Sequence, residues 1–194
     1  MKFLDKNTIK LDKELNELDK FVLNFVKILE KYTKYVIISG YVSLLFGRAR
    51  GTEDVDVFIE ETKKEILIKL FKELEKKYWC LNTDDVNEMH DYLKNGFPIR
   101  MAIKNQTIPN FEIKLAKTFL DKESFKDLIT VKTRLGDLKI SSLERQIAFK
   151  NYYLKSDKDL EDARHIERLF KENIDYNKIE EYKRLIENAG SKTK

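Results

Sequence analysis

Cysteine, proline and glycine are all scarce in this sequence. Its 194 residues include one cysteine, two prolines and six glycines. The single Cys80 cannot form an internal disulfide, which excludes a disulfide-stabilised scaffold and fits a reducing compartment. So few prolines and glycines indicate long regular elements, and they exclude a low-complexity or loop-dominated chain.

Long apolar runs are also missing. No run approaches the ~20 residues that a membrane-spanning helix needs. The first ten residues, MKFLDKNTIK, lack the continuous apolar core of a signal peptide. Hydrophobic residues make up 42% of the chain and charged residues 37%, which is typical of a globular protein with a heavily charged surface. We therefore expect a soluble, cytoplasmic protein.

The net charge of +4 comes from the second half of the chain. Residues 101–194 hold 20 basic and 16 acidic side chains, whereas residues 1–100 hold 18 of each. The excess is densest around Lys126–Lys155. A small surplus of this kind is typical of a solvated surface, but it also fits a face that binds a polyanion such as RNA.

Apolar spacing predicts the elements of the first half. An amphipathic stripe predicts one long helix over about residues 8–31. Residues 35–39 (YVIIS) and 54–59 (DVDVFI) are predicted strands, and Gly40 begins a short helix that ends near Gly47. Further predicted elements are a helix from a Thr62/Glu65 capping box to about Tyr78, a helix from Asp84 to about Leu93, strands over 98–105 and 110–117, and a hairpin around Gly136-Asp137.

Beyond residue 140 the pattern becomes helical. Ser141 with Glu144, then Asp157, then Asp175 are predicted to cap three helices, and the tail GSKTK is predicted to be frayed. We therefore expect a core with its N-terminal helix at 1–140, and a helical region packed on it at 141–194.

Two aspartates, Asp54 and Asp56, interrupt an apolar strand where acids are normally rare. Side chains alternate along a strand, so both carboxylates face the same side, with α-carbons ~6.6 Å apart. Such a pair can hold a hard divalent cation, which binds through one or two carboxylates and substrate phosphates. Two exposed acids on an edge strand would give the same pattern, so the pair alone leaves both interpretations open.

Gly40 adds a second feature just before these acids. A strand that ends at a glycine and turns into a helix presents unpaired backbone N–H groups, where phosphate often binds. Arg48, Arg50 and Thr52 lie between this junction and the acids, where they could hold the turn or contact phosphate. The sequence therefore predicts a phosphate cradle beside a metal-binding strand.

Together these residues resemble the signature of the nucleotidyltransferase superfamily typified by DNA polymerase beta. That signature has a glycine after an apolar residue, a small residue, a spacer and an apolar-flanked pair of acids. Its positions here are Gly40, Ser43, Arg50, Thr52, Asp54 and Asp56. The order of later segments is most similar to the AbiEii-type branch, which contains toxin nucleotidyltransferases of toxin–antitoxin systems. The resemblance covers roughly residues 35–170 and implies an α+β nucleotidyltransferase fold, with a small mixed β-sheet flanked by helices.

The resemblance also implies a third carboxylate on a neighbouring strand. We assign it to Glu112 in NFEIKLAK, because the apolar residues that alternate with it would face the core. Lys114 shares the face of Glu112 and could simply pair with it. Asp91 and Asp121 are the alternatives, in less suitable local sequence.

Later charged residues resemble the family's Lys and Lys-Asp-x-x-Asp motifs. The resemblance implies that Lys150 contacts the triphosphate, and that Asp159 or Asp162 positions it or forms a helix junction. Acids that simply enrich a helix start would give the same pattern. One position departs from the signature: Tyr41 stands where the family has a second small residue, and its ring could crowd the triphosphate or stack on a base.

The resemblance implies a Mg²⁺-dependent enzyme that moves a nucleoside monophosphate from ATP or another NTP to a hydroxyl acceptor and releases pyrophosphate. Asp54, Asp56 and Glu112 would hold one or two metal ions, and Glu112 would help deprotonate the acceptor. The leading acceptor is RNA, such as a tRNA end, followed by a partner protein; a partner toxin or antitoxin is also implied. Two alternatives remain: a nucleotide-binding or antitoxin-like module without turnover, favoured by Tyr41, and a structural protein that dimerises through its first helix.

Overall fold

A computed structural model describes the backbone of residues 1–191 and the side chains up to residue 189. Within that range the strands are β1 (Lys2–Asp5), β2 (Thr8–Lys10), β3 (Tyr35–Ile37), β4 (Asp54–Ile59), β5 (Tyr78–Cys80), β6 (Ile99–Ile103), β7 (Asn110–Leu115), β8 (Ile129–Thr133) and β9 (Gly136–Ile140). The helices are α1 (Glu17–Leu29), α2 (Gly40–Leu45), α3 (Lys64–Leu74), α4 (Val86–Lys94), α5 (Phe119–Glu123), α6 (Leu143–Phe149), a π-helical turn (Lys150–Leu154), α7 (Asp157–Leu169) and α8 (Tyr176–Ser191). Among these described helices, none has the length and apolarity that crossing a bilayer requires.

The strands form one mixed sheet in the order β1-β2-β8-β9-β3-β4-β7-β6-β5. Strand β4 lies near the middle, antiparallel to β3 on one side and parallel to β7 on the other. This architecture confirms the predicted fold class, a mixed sheet flanked by helices. The sheet is larger than the sequence pattern indicated, because β1, β2 and β5 join it as additional short strands.

One face of the sheet is covered by a layer that contains α1, α3 and α4. Val55 and Val57 of β4 are fully buried and alternate with partly exposed residues, as expected of a strand covered on one side. Phe21 and Phe25 of α1 stack on Phe111 of β7, with ring centroids 4.5 and 3.7 Å apart. Burial of each ring contributes about 1.5–3 kcal/mol. The polar side chains of β4 therefore face the opposite, open side.

The prediction of one helix over residues 8–31 was wrong for its first half. Residues 8–10 form β2, which pairs in parallel with β8. The helix begins only after Asn16, whose side chain accepts a hydrogen bond from the Asp19 amide at 2.8 Å, while Asp19 accepts one from the Asn16 amide at 3.1 Å. This reciprocal cap fixes the start of α1. The later part of the stripe, including Val22, lies in the core, so it is not an exposed dimerisation face.

Several predicted helix starts shift by one residue or more. The backbone of Lys63 caps α3 without a side-chain hydrogen bond, so the predicted Thr62/Glu65 capping box does not form. Three other predicted caps are each displaced by one residue. Asp85 caps α4 instead of Asp84, Ser142 caps α6 instead of Ser141, and Ser156 caps α7 instead of Asp157. Asp175 does accept a hydrogen bond from the Asn177 amide at 3.0 Å, as a cap of α8 should.

The C-terminal helices pack against one another and against the core. Helix α6 contacts α7 and α8, and α7 contacts α2. The ring of Phe170, at the end of α7, packs edge-on against Phe3 of β1 and Phe46 after α2, with centroids 5.8 and 4.8 Å apart. The division into regions 1–140 and 141–194 stays a prediction. Of the predicted frayed tail, residues 190–191 continue α8, and residues 192–194 lie outside the described residues.

Candidate active site

Three carboxylates lie on the open face of the sheet, on two adjacent parallel strands. Asp54 and Asp56 project from β4, and Glu112 projects from β7 directly opposite Asp56 in the register. Asn110 occupies the corresponding position opposite Asp54. The predicted grouping of two aspartates with a glutamate on a neighbouring strand is thus present in the backbone register, and the roles assigned to these residues stay predictions.

Two basic side chains hold two of these acids, Asp56 and Glu112. The Lys114 Nζ lies 2.6 Å from Glu112 Oε1 and 3.2 Å from Asp56 Oδ1. Arg100 of β6 donates to the other Glu112 oxygen, Oε2, from Nε at 3.2 Å and from Nη2 at 3.0 Å. The pairing of Lys114 with Glu112, considered from the sequence, is therefore present. The open face carries three acids and two bases in this cluster, which leaves one negative charge in excess.

The electrostatics of the two paired acids differ. The pKa of Asp56 is raised, first because the carboxyl group is buried and then by the nearby charges of Glu112 and Asp54, against the opposing effect of Lys114. Burial alone would also raise the pKa of Glu112, but Lys114 and Arg100 outweigh it and the pKa is lowered. Burial therefore outweighs Lys114 at Asp56, and Asp54 is the one acid of the three that makes no ion pair among the described residues.

The donor chemistry of this cluster fits a magnesium ion. Carboxylate oxygens are the ligands that Mg²⁺ prefers, and the one negative charge in excess over the whole cluster favours a cation. The Lys114 ammonium already stands between Asp56 and Glu112 as a monovalent cation. Over the described side chains, no group of three or more His, Cys, Asp or Glu residues is gathered closely enough to hold an ion. The carboxylates therefore fit the metal in kind, and Lys114 holds those of Asp56 and Glu112 in the metal-free arrangement.

Thr52 organises the entrance to β4. Its hydroxyl donates to the Asp54 carbonyl at 2.9 Å and lies 3.4 Å from the Asp54 carboxylate. The nucleotide contact of Thr52 stays a prediction. The observed contacts show that Thr52 orients Asp54.

The junction before α2 is strained. Ser39, which precedes the helix, has φ of 62° and ψ of −140°, a conformation that normally favours glycine. Gly40 begins α2, and a Cβ atom at this position would overlap the guanidinium of Arg50. Any side chain at position 40 would therefore have to displace the end of the Arg50 side chain. Ser43, another predicted site residue, is fully buried one turn later, and its hydroxyl has no hydrogen-bond partner among the described residues.

Tyr41 points away from the predicted phosphate cradle. Its ring is 1% exposed, and its hydroxyl donates to the buried Asp19 of α1 at 2.9 Å. Burial and the adjacent Asp19 raise its pKa well above the ordinary value. The side chain thus neither crowds a triphosphate at α2 nor stacks on a base, and the expected effect of this departure from the family signature is corrected. Only the backbone of Tyr41 remains at the junction.

A second charged cluster is buried beneath α2. Asp162 of α7 is fully buried and lies 2.8 Å from Lys150 Nζ, 3.3 Å from Arg50 Nη2 and 2.6 Å from Arg48 Nε. Lys150 begins the π-helical turn, is itself fully buried, and also lies 3.2 Å from Asp159. We call these five residues the junction cluster. They join the loop after α2 to α7.

The junction cluster changes the meaning of three predicted residues. Of the two sequence interpretations of Asp162, the helix junction is the one that its contacts match. Lys150 has no exposed surface in this arrangement and is not in a position to meet a solvent-borne triphosphate without rearrangement. Arg50 is 19% exposed in its side chain, so part of it remains accessible beside Gly40.

The alternative third acids do not join either cluster. Asp91 is exposed and pairs with His90 on α4, whereas Asp121 forms the capping box of α5 with Thr118. Sequence reasoning gave no role to Arg100. Its position could have been found only from the register of β6 with β7, which places it beside Glu112.

No protein-family model matches the sequence, and no curated protein matches it in sequence. Solved structures do match in fold. A nucleotidyltransferase-like antigenic protein from Paracoccidioides brasiliensis aligns with a TM-score of 0.50 and 15% identity, over 76% of this chain and 73% of that one. The antibiotic-resistance factor ANT(2'')-Ia aligns with a TM-score of 0.53 and 13% identity, over 90% of this chain and 96% of that one.

The chain has a nucleotidyltransferase-like fold. At these identities the likeness concerns the fold alone, and it extends over most of both chains. It agrees with the superfamily resemblance read from the Gly40-to-Asp56 segment. The likeness to the AbiEii-type branch stays a prediction.

Proposed function

We propose that the protein is a metal-dependent nucleotidyltransferase, which moves a nucleoside monophosphate from an NTP to a hydroxyl acceptor. The observation that carries the proposal is the register of β4 and β7, which sets Asp56 opposite Glu112 and places Asp54 on the same open face. A nucleotidyltransferase-like fold around these acids supports it.

In this mechanism Asp54 and Asp56 would hold Mg²⁺, and Glu112 would complete the site. The bound metal would neutralise phosphate charge and polarise the α-phosphate. Thr52 would keep Asp54 oriented through its 2.9 Å hydrogen bond to the strand. Arg50, beside Gly40, would add positive charge near the backbone N–H groups that were predicted to cradle the phosphates.

The chemical step would be a substitution at the α-phosphate. The acceptor oxygen forms a bond to the α-phosphorus, the bond to the β-phosphate oxygen breaks, and pyrophosphate leaves. Glu112 would take the acceptor proton at one carboxylate oxygen. Lys114 holds one Glu112 oxygen and Arg100 holds the other, and both bases lower the pKa of Glu112. To act as a base, Glu112 would therefore have to lose its contact with one of these two residues.

The acceptor class is part of the proposal. The basic surplus of residues 101–194 favours RNA, such as a tRNA end, over a hydroxyl on a partner protein. A toxin–antitoxin role would follow if the acceptor were RNA that the cell needs, and a partner toxin or antitoxin would then be expected.

A nucleotide-binding module without turnover is the second candidate. The ion pairs that Lys114 and Arg100 make with the acids favour it, because they neutralise the groups that catalysis would use. Tyr41 does not support this candidate, because its side chain is buried in the core.

The test is transfer of label from each of the four α-labelled NTPs in Mg²⁺, with total RNA and cell protein as acceptors. Asp56→Asn is the control, because Asp56 lies opposite Glu112 in the register and is a proposed metal ligand. Label on one acceptor pool that disappears in the variant would establish the reaction and its substrate class. Nucleotide binding without any label would favour the second candidate. If the protein neither binds nucleotide nor transfers label, both candidates are wrong.

A further inference from the structure

Lys114 occupies the position between the two strands that bear the acids. It follows Glu112 by two residues on β7, so both side chains project from the same face. Its ammonium contacts Glu112 at 2.6 Å and reaches across to Asp56 of β4 at 3.2 Å. Lys114 therefore links the acids that a metal ion would share.

The oxygen atoms of Glu112 are all engaged. Oε1 contacts Lys114, and Oε2 accepts two hydrogen bonds from Arg100. Oδ1 of Asp56 is also held by Lys114. A divalent cation that binds Asp56 and Glu112 together would meet the ammonium group at short range, in a partly buried space where like charges repel strongly.

Lys114 is better suited than Arg100 to leave. Arg100 binds Glu112 through a two-atom fork and has no contact with Asp56. Lys114 is a single point charge on a flexible stem, so fewer contacts hold it to each acid than hold the Arg100 fork. Its side chain is 34% exposed, against 53% for Arg100, so the contact with Asp56 and the single-point geometry, not exposure, distinguish Lys114.

We infer that Lys114 is a resident counter-ion of the metal site, which pairs with Asp56 and Glu112 in the metal-free protein and must leave both before a divalent cation binds them. The inference rests on the proposed function, since it assumes that these acids bind a metal. It makes Lys114 a positioning residue: its departure releases Glu112 Oε1 and Asp56 Oδ1.

The first test measures Mn²⁺ binding to the whole protein without nucleotide, by electron paramagnetic resonance of the free ion. Replacing the ammonium in Lys114→Met should tighten the dissociation constant by about tenfold or more, because the metal no longer competes with a fixed charge. Lys114→Arg keeps the charge and should bind no more tightly than the wild type. Lys104→Met, at an exposed lysine just after β6, is the matched control and should leave binding unchanged.

A second measurement detects the displacement itself in the unmodified protein. Acetylation of lysines by a succinimide ester is followed by mass spectrometry with and without Mg²⁺. We expect acetylation of Lys114 to rise several-fold when Mg²⁺ is added, because its ammonium loses both carboxylate partners. The rate at Lys104 should stay constant.

The outcomes separate the inference from the proposed function. If wild type and Lys114→Met bind Mn²⁺ equally, and Mg²⁺ leaves Lys114 acetylation unchanged, the counter-ion inference is wrong while the metal-dependent function stands. If neither protein binds Mn²⁺, both are wrong. The inference is supported if Lys114→Met binds Mn²⁺ more tightly while Lys114→Arg and Lys104→Met do not, and if Mg²⁺ increases acetylation of Lys114 in the wild type.

Discussion

The open sheet face and the junction cluster contain the same kinds of ion pair in opposite surroundings. On the face, Lys114 joins Asp56 and Glu112 with its side chain 34% exposed. In the junction, Lys150 and Asp162 meet with side chains 1% and 0% exposed. A partly exposed pair can exchange partners at little cost, whereas a buried pair that loses one member leaves an uncompensated charge. The first arrangement suits a site that must accept a substrate, and the second suits a fixed joint.

The largest difference between the two regions is expected from Asp162→Ala. This change would leave Arg48, Arg50 and Lys150 without their shared carboxylate, so we expect a loss of about 3–5 kcal/mol in the free energy of unfolding. Urea denaturation measures it. Glu161→Gln, which removes the exposed partner of Arg48, should cost no more than about 1 kcal/mol. Equal effects of the two substitutions would show that the junction is not a fixed joint.

Gly40→Ala tests how tightly the Arg50 guanidinium packs against the start of α2. The new Cβ would overlap the Arg50 guanidinium, and displacing that group should cost about 1–3 kcal/mol. Gly51→Ala is the matched control, because no atom lies within 4 Å of a Cβ built there. Thermal unfolding of both variants gives the comparison. A Gly40→Ala protein as stable as Gly51→Ala would mean that Arg50 moves aside freely.

Tyr41→Phe separates a core role from a nucleotide role. Without the hydroxyl, the buried Asp19 loses one hydrogen bond but keeps Lys13 at 2.9 Å, so we expect a loss of about 1–3 kcal/mol in stability. Nucleotide affinity, measured by calorimetry, should not change. Tyr153→Phe, at a ring that is 62% exposed, is the control for stability. A fall in nucleotide affinity for Tyr41→Phe would contradict the position assigned to the ring.

Asp56→Asn should give the smallest effect on stability and the largest on activity. Because the pKa of Asp56 is raised in the folded protein, its charge disfavours folding, and the penalty grows as the pH rises from the unfolded-state pKa through the folded-state pKa. The variant lacks that penalty, so at neutral pH it should unfold at the same or a slightly higher urea concentration than the wild type. A clear destabilisation would mean that the Lys114 pair outweighs burial.

The core strands and their polar faces could be predicted from local pattern. Alternation in DVDVFI placed Asp54 and Asp56 on one face. That a third acid, Glu112, joins them from a neighbouring strand was implied by the family resemblance, and the register agrees. The pattern also predicted that Lys114 could pair with Glu112. The shared face of Asp54 and Asp56, and that of Glu112 and Lys114, depend only on residues two apart in one strand, so the local sequence is enough to predict them.

Features that depend on distant segments could not be predicted. Residues 8–10 form a strand only because β8, more than a hundred residues later, offers them an edge. The sequence predicted that Tyr41 faces the nucleotide, but in the folded protein its hydroxyl donates to the buried Asp19. The contact of Arg100 with Glu112 depends on the pairing of β6 and β7. In each case the partner is set by tertiary structure, which local propensity does not encode.

The pairing of β2 with β8 also has a consequence for synthesis. A chain emerging from the ribosome exposes β1 and β2 long before residues 129–133 are made, and Phe3 must wait still longer for Phe170. Contacts of such large sequence separation form late, because the loop between them must first be closed. We expect nascent chains stalled before residue 130 to keep residues 1–10 open to proteases, even where β3, β4 and β7 are already protected.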